Sequence, residues 1–281
     1  MRSSSLPSFV VVVALATVAG CEPGPLPDDP DAFVPVIALP DCRPNNDGVI
    51  DRAELPAVIG ATARVRVGTD VEIDIDGVQQ DGVTVWDLTR PDVDDEPVGT
   101  LTVEPMEGQY FQDLFPNADL AAPLVPGGSQ LGPLVVDDTG YKLLGAMSAE
   151  EDPEEGQTRI VYDEPTLLYP LPLQLGSRVT SRSRAQNALL LGIPTAFDDT
   201  TEIEVVRQGR VVLPDLIVDN ALQVRVRLRR VLLAGDVQQT SYIFVTECLG
   251  EVARFVSDAV PLSQPAPDNF ETAKEVWRLA L

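Results

Sequence analysis

The chain contains no histidine. That absence excludes Ser-His-Asp and Cys-His catalysis, histidine-ligated zinc and HExxH proteolysis. Lysine is almost missing too: Lys142 and Lys274 are the only two, and neither follows a glycine-rich loop, so nucleotide hydrolysis by a P-loop is excluded. Aromatic residues make up 5% of the chain, with two tryptophans, too few to furnish the stacked platforms of a sugar-cleaving cleft. A glycosidase needs only two carboxylates, yet nothing singles out a pair among the many present. On this reading the protein is not an enzyme. Beyond the first residues there is also no apolar run near the roughly 20 residues that a membrane-spanning helix requires.

What the chain has in excess is acid. Its formal charge is -24, with 44 Asp and Glu against 20 Lys and Arg. Residues 22 to 175 hold 31 acidic against 7 basic side chains, a net of -24, whereas residues 176 to 281 hold 13 against 12, a net of -1. A nucleic-acid partner is excluded, because phosphates demand a basic surface.

The N-terminus carries Arg2, then the apolar run Phe9, Val10, Val11, Val12, Val13, Ala14, Leu15, Ala16, and then Val18-Ala19-Gly20-Cys21. Small residues before the cysteine let a signal peptidase bring a narrow backbone to the bond it cuts. The segment resembles the leaders of bacterial lipoproteins, ending in a lipobox. That resemblance implies removal of residues 1–20 and a diacylglyceryl thioether on Cys21. The mature protein is then expected outside the cytoplasm, tethered by its lipid to the inner or outer membrane of a Gram-negative-type envelope. Residues 21–40, with prolines at 23, 25, 27, 30, 35 and 40, read as an extended tether.

With Cys21 given to lipid, Cys42 and Cys248 remain as one pair in an oxidising compartment, where a disulfide between them is expected. Two separate buried thiols are the alternative.

Most of the body alternates apolar and polar residues with period 2. Val65, Val67, Val71, Ile73 and Ile75 set the pattern, and residues 83–86, 99–103, 109–114, 158–162, 203–213, 222–233, 240–246 and 252–257 continue it. Gly77, Gly82, Gly108, Gly209, Gly235 and Gly250 read as turns. Prolines 165, 170 and 172 are too many for a central strand, so a boundary or crossing connection is expected there. The segments are thus an acidic β-rich region over 41–163 and a second β-rich region over 164–281, as two domains or one. Residues 51–59 predict a short helix, and Asp268 or Asn269 caps a C-terminal one bearing Phe270, Ala273, Trp277 and Leu281 on one face. The fold class expected is mainly β, antiparallel, sandwich-like or an open barrel, with those two helices.

Two candidate binding features stand out. Residues 45–54, Asn-Asn-Asp-Gly-Val-Ile-Asp-Arg-Ala-Glu, resemble an EF-hand calcium loop. With Gly48 at the sixth loop position, Asn45 stands at three, Asp47 at five, the Val49 carbonyl at seven, Asp51 at nine and Glu54 at twelve. Calcium, a hard cation, collects six to eight such oxygens. Arg43 occupies the first position, where an aspartate belongs. The competing reading is a capping box, with Asp51 as cap and Glu54 reaching back to its amide. The second feature is 224–231, which places Arg225, Arg227 and Arg229 on one face of a strand, open to an anionic ligand, a lipid head group or the protein's own acidic half.

These readings converge on a membrane-tethered, non-enzymatic binding or scaffolding module of the cell envelope. Its partners besides the membrane would be an envelope protein, a polysaccharide or an apolar ligand. It requires no cofactor, calcium being the one candidate. The alternatives are a carrier of lipid or another apolar ligand, with 167–175 and 188–191 lining a cavity, and a calcium-stabilised interaction module.

Overall fold

The computed structural model describes residues 42–55, 57–90, 92–232 and 235–281. The leader, Cys21 and the tether lie outside them.

In chain order the strands are β1 (Val49–Ile50), β2 (Thr62–Glu72), β3 (Val78–Gln80), β4 (Val83–Asp87), β5 (Val98–Thr102) and β6 (Glu104–Pro105). Next come β7 (Leu120–Pro123), β8 (Gln130–Asp137), β9 (Gly140–Ser148), β10 (Arg159–Pro170), β11 (Leu173–Gln174) and β12 (Arg178–Leu190). The later part supplies β13 (Ile193–Val212), β14 (Ile217–Leu232), β15 (Val237–Thr246), β16 (Gly250–Val256), β17 (Val260–Pro261) and β18 (Thr272–Ala280).

One sheet takes nearly all of them, in the order β5-β2-β18-β16-β15-β14-β13-β12-β10-β9-β8-β7-β6. Because β5 and β6 are separated only by Val103, the segment 98–105 pairs with β2 at one end and β7 at the other. The sheet therefore curls into a nearly closed, barrel-like ring of antiparallel neighbours. Strands from both β-rich regions share it.

Alternation decides which side chains fill the ring. Leu134, Tyr141 and Leu143 from β8 and β9 join Ile203, Val205, Leu222, Val224, Ile243 and Val245 from β13–β15 in one buried cluster across the interior. Ile50, Leu55 and Leu173, from β1, the turn after it and β11, close one end. The opposite parity of β14, including Arg225, Arg227 and Arg229, consequently points outward. Part of that outer face is itself covered. The β3–β4 hairpin lays Trp86 against Phe244, ring centroids 5.0 Å apart, and β4 runs parallel to β13. The Trp86 indole donates to the Ile75 carbonyl at 2.9 Å, so its polar edge is satisfied in the core.

Four expectations are corrected. No C-terminal helix forms: Thr272–Ala280 is the strand β18 between β16 and β2. Both its faces are covered, with Val276 at 0% and Trp277 at 6% exposure, so alternation is erased and the apolar spacing imitates a helix. The N-terminal helix is likewise absent: Asp51–Leu55 is one turn, closed by the Glu54 and Leu55 amides on the Asp51 carbonyl at 3.2 Å. Residues 109–114 are not a strand; they turn into a 3-10 helix at Gln112–Leu114, burying Phe111 and Phe115 edge to face. The proline-rich stretch is no crossing connection, because Pro165 and Pro170 lie within β10. Its ladder to β12 has partners only at Arg159 and Tyr162, which leaves the proline positions without a required donor on that side.

Candidate functional site: the arginine face

Strands β12, β13 and β14 are long and in near-continuous register, so their outward side chains form rows across the sheet. Arg178, Glu204 and Arg225 share one row, Thr180, Glu202 and Arg227 the next, and Arg182, Thr200 and Arg229 the one after. In the first two rows the β14 arginines are neutralised locally. Arg225 meets Glu204 at 2.5 Å. Arg227 grips Asp268 with both Nε, at 2.6 Å, and Nη2, and lies 3.7 Å from Glu202. Those bonds hold the Arg227 guanidinium above its ordinary pKa. Burial pushes the Asp268 carboxyl up, but Arg227 outweighs it and the group stands below the usual carboxylate range.

The third row differs. Arg182 and Arg229 are exposed, neither is in an ion pair, and the residue between them is a threonine. With neighbouring strands about 4.8 Å apart, the two guanidinium stems stand about 10 Å from each other, with the Thr200 hydroxyl between. Gln238 on β15 extends the row. A cleft of about 270 Å³ opens beside it, lined by Arg227, Arg229, Gln238, Thr240 and Asp268 among others. Arg178, exposed and without an ion pair, continues the patch along β12, and Arg184 pairs with the exposed Asp198.

Of the three arginines read from sequence, only Arg229 keeps its charge unpaired. Arg178 and Arg182 were missed, although the alternation Arg178, Arg182, Arg184 marks one face of a strand. The carboxylates that neutralise Arg225 and Arg227 come from β13 and from residue 268, not from the acidic front half.

In the calcium-loop-like segment several side-chain oxygens are engaged by its own backbone amides. Asn45 Oδ1 accepts from the Asp47 amide at 2.8 Å and Asp47 Oδ1 from the Val49 amide at 2.8 Å. Asp51 Oδ1 accepts from Ala53 at 2.7 Å, while Glu54 Oε2 accepts from Asp51 at 3.2 Å. The last pair is capping-box geometry on a single turn. Val49 sits in β1 opposite Gln174. Among the described residues no group of three or more His, Cys, Asp or Glu side chains is placed to hold a metal ion.

Cys42 and Cys248 are joined, with Cα atoms 5.5 Å apart across 206 residues of chain. Inside the ring Tyr169 donates to Glu251 at 2.8 Å, and Arg254 grips Glu251 at 2.7 and 2.6 Å while stacking on Trp277. Burial pushes the Tyr169 hydroxyl well above its usual pKa. Within the apolar stretch 167–175, Leu168, Tyr169, Leu171 and the fully buried Leu173 pack toward this interior while Leu175 is exposed; Ala188 is core, whereas Leu190 and Leu191 are exposed.

Comparison with known proteins returns no matching family model, no matching curated sequence and no matching solved structure.

Proposed function

We propose that the protein is an extracytoplasmic lipoprotein, tethered through lipid on Cys21, that acts as a non-enzymatic binding module and takes an acidic envelope polysaccharide on the arginine face of β12–β14. One observation carries the reading: Arg182 and Arg229 stay unpaired around Thr200 in a chain of net charge -24. In so acidic a protein, two arginines with no internal carboxylate are available to an external one. The planar guanidinium fork suits a carboxylate-bearing sugar, and screening over about 8 Å at physiological salt lets a local patch act despite the acid elsewhere. The test is capture of the full chain on beads carrying alginate, a carboxylated polysaccharide. Retention that disappears when both arginines become alanine supports the reading; equal retention of both proteins refutes it. Anchoring is tested separately, by incorporation of labelled palmitate and its loss in Cys21→Ala.

A second reading, an apolar-ligand carrier, rests on the inner wall of the ring. Along β14 the inward residues Leu222 and Val224 are fully buried, while Val226 and Leu228 farther along are partly accessible. Organic extraction of the purified protein followed by mass spectrometry decides it, since a carrier retains lipid.

A further inference from the structure

The hairpin that joins β12 to β13 turns on Leu191 and Gly192, between the paired residues Leu190 and Ile193. Both turn residues have positive φ, 49° at Leu191 and 75° at Gly192, as a two-residue turn that follows the twist of its strands requires. The β3–β4 hairpin makes the same turn with Asp81 and Gly82, at φ 51° and 84°. Aspartate tolerates that left-handed backbone, whereas a leucine there crowds its Cβ against the following carbonyl. The other left-handed residues described, glycine apart, are Asn, Asp and Cys248, so Leu191 is the one aliphatic side chain held in this strain. Burial does not offset it. Leu190 and Leu191 are exposed, and Ile193, at 68%, is the most exposed of the large hydrophobic side chains described. Pro194 is exposed too, and residues 193–196 run past the last pair of β13 with β14, Phe197 with Leu232, so an apolar knob projects from the end of the sheet. Strain kept in order to present apolar side chains to water marks a surface with a use.

The loop between β9 and β10 lies against this knob. The Gly192 amide donates to the Gln157 carbonyl at 2.8 Å, and a Cβ on Gly156 would stand 2.6 Å from the Leu191 carbonyl. In that loop Glu150, Glu151, Asp152, Glu154 and Glu155 are exposed, and none is in an ion pair among the described residues; Arg159, opposite Leu189, offsets them in part. The knob therefore wears an acidic collar, which decides between occupants. Anionic lipid head groups would be repelled by it. A second copy docked tip to tip would set one collar against another. A protein groove that is apolar at its centre and edged by lysine or arginine meets both parts of the tip, with a dry core and an attractive rim.

We propose that the β12–β13 hairpin tip docks into an apolar, basic-rimmed groove of a protein partner: Leu190, Leu191 and Ile193 enter the groove, and the carboxylates of the 150–155 loop pair with its rim. Arg182 and Arg229 stand farther down the sheet and take no part. The knob also lies at the end of β13–β15 opposite the Cys42–Cys248 bridge, clear of the segment that closes the ring.

The test is fluorescence anisotropy of the full chain with a labelled amphipathic helical peptide of leucine and lysine, whose apolar stripe has basic edges, at physiological salt. A peptide with glutamate in place of lysine is the control. The parent is expected to bind the lysine peptide saturably and the glutamate peptide not at all. Leu191→Asn combined with Ile193→Thr keeps the turn and the strand and should bind about tenfold more weakly, as loss of an interface anchor does. Replacing Glu150, Glu151, Glu154 and Glu155 by glutamine should weaken binding and remove its salt dependence. Leu191→Asn alone should raise the thermal midpoint by about 2–4 °C, because asparagine accepts the left-handed backbone. No saturable binding of the lysine peptide, or equal binding by parent and double variant, overturns the proposal. Flotation with phosphatidylcholine–phosphatidylglycerol vesicles that the double variant loses overturns it in favour of a membrane. Self-association in sedimentation that the double variant loses overturns it in favour of a second copy.

Discussion

The carbonyl of Glu54 accepts a hydrogen bond from the amide of Cys248 at 2.6 Å, joining the first turn of the described chain to a loop 194 residues later, beside the Cys42–Cys248 disulfide. Glu247 adds a second tie, its carboxylate accepting from the Asn46 amide at 2.9 Å. The segment that closes one end of the ring is thus pinned to the β15–β16 turn by one covalent and two hydrogen bonds. Tyr141 completes the attachment by donating to the Leu55 carbonyl at 2.7 Å.

Breaking the covalent tie is expected to cost much of the domain's stability. In the chain-entropy description, a loop of 206 residues corresponds to about 5 kcal/mol. Cys248→Ser should lower the unfolding free energy by an amount of that order, seen as a fall in the urea midpoint followed by tryptophan fluorescence. A midpoint within error of the parent would mean that the two hydrogen-bonded contacts alone hold the segment.

Two carboxylates should respond to pH with opposite sign. Glu54 is buried, and burial, with Glu247 nearby, raises its pKa above the ordinary carboxylate value. Its folded pKa exceeds its unfolded one, so the ionised side chain costs stability at neutral pH, and the cost disappears as pH falls below the unfolded value. Glu54→Gln, whose amide oxygen still accepts from Asp51, should therefore unfold at higher temperature at pH 7 and match the parent below about pH 4. Asp268 is the reverse case, its pKa lowered by Arg227 despite burial. Asp268→Asn should destabilise at pH 7, with the difference lost as pH falls through the folded pKa. Calorimetric melts across that range check both.

Gly209 bears on the attachment of the β3–β4 hairpin. A Cβ there would stand 2.2 Å from the Thr84 carbonyl and 2.8 Å from the Trp86 ring, so β4 must move away. Gly209→Ala should cost about 1–3 kcal/mol, as overpacking does. Faster hydrogen exchange at Thr84–Trp86, with exchange on β15 unchanged, would show that the hairpin has loosened locally.

The same glycine shows what could be read from the residues and what could not. As a residue without a side chain it resembles a turn, and only the parallel approach of β4, set by tertiary structure, reveals why it stands inside β13. The β class, the disulfide and the outward parity of Arg225, Arg227 and Arg229 were legible because alternation and cysteine pairing are local or arithmetic signals. β18 was not, since the residues around Trp277 are covered on both sides and lose period 2. At the arginine face the sequence located the strand but not the row. Which arginines stay unpaired depends on Glu202, Glu204 and Asp268 arriving from elsewhere, and that Arg182 lines up with Arg229 follows from register across three strands.

We propose that Arg182 and Arg229 receive acidic sugar, and titration of the full chain with alginate oligomers at two salt concentrations checks this. Two charge-assisted hydrogen-bonding groups contribute about 1.5–3 kcal/mol each, so the Arg182→Ala, Arg229→Ala double variant should bind at least tenfold more weakly, and parent binding should weaken as salt rises. Affinity unchanged by the double substitution, or binding equally tight to an uncharged polymer such as dextran, would contradict it.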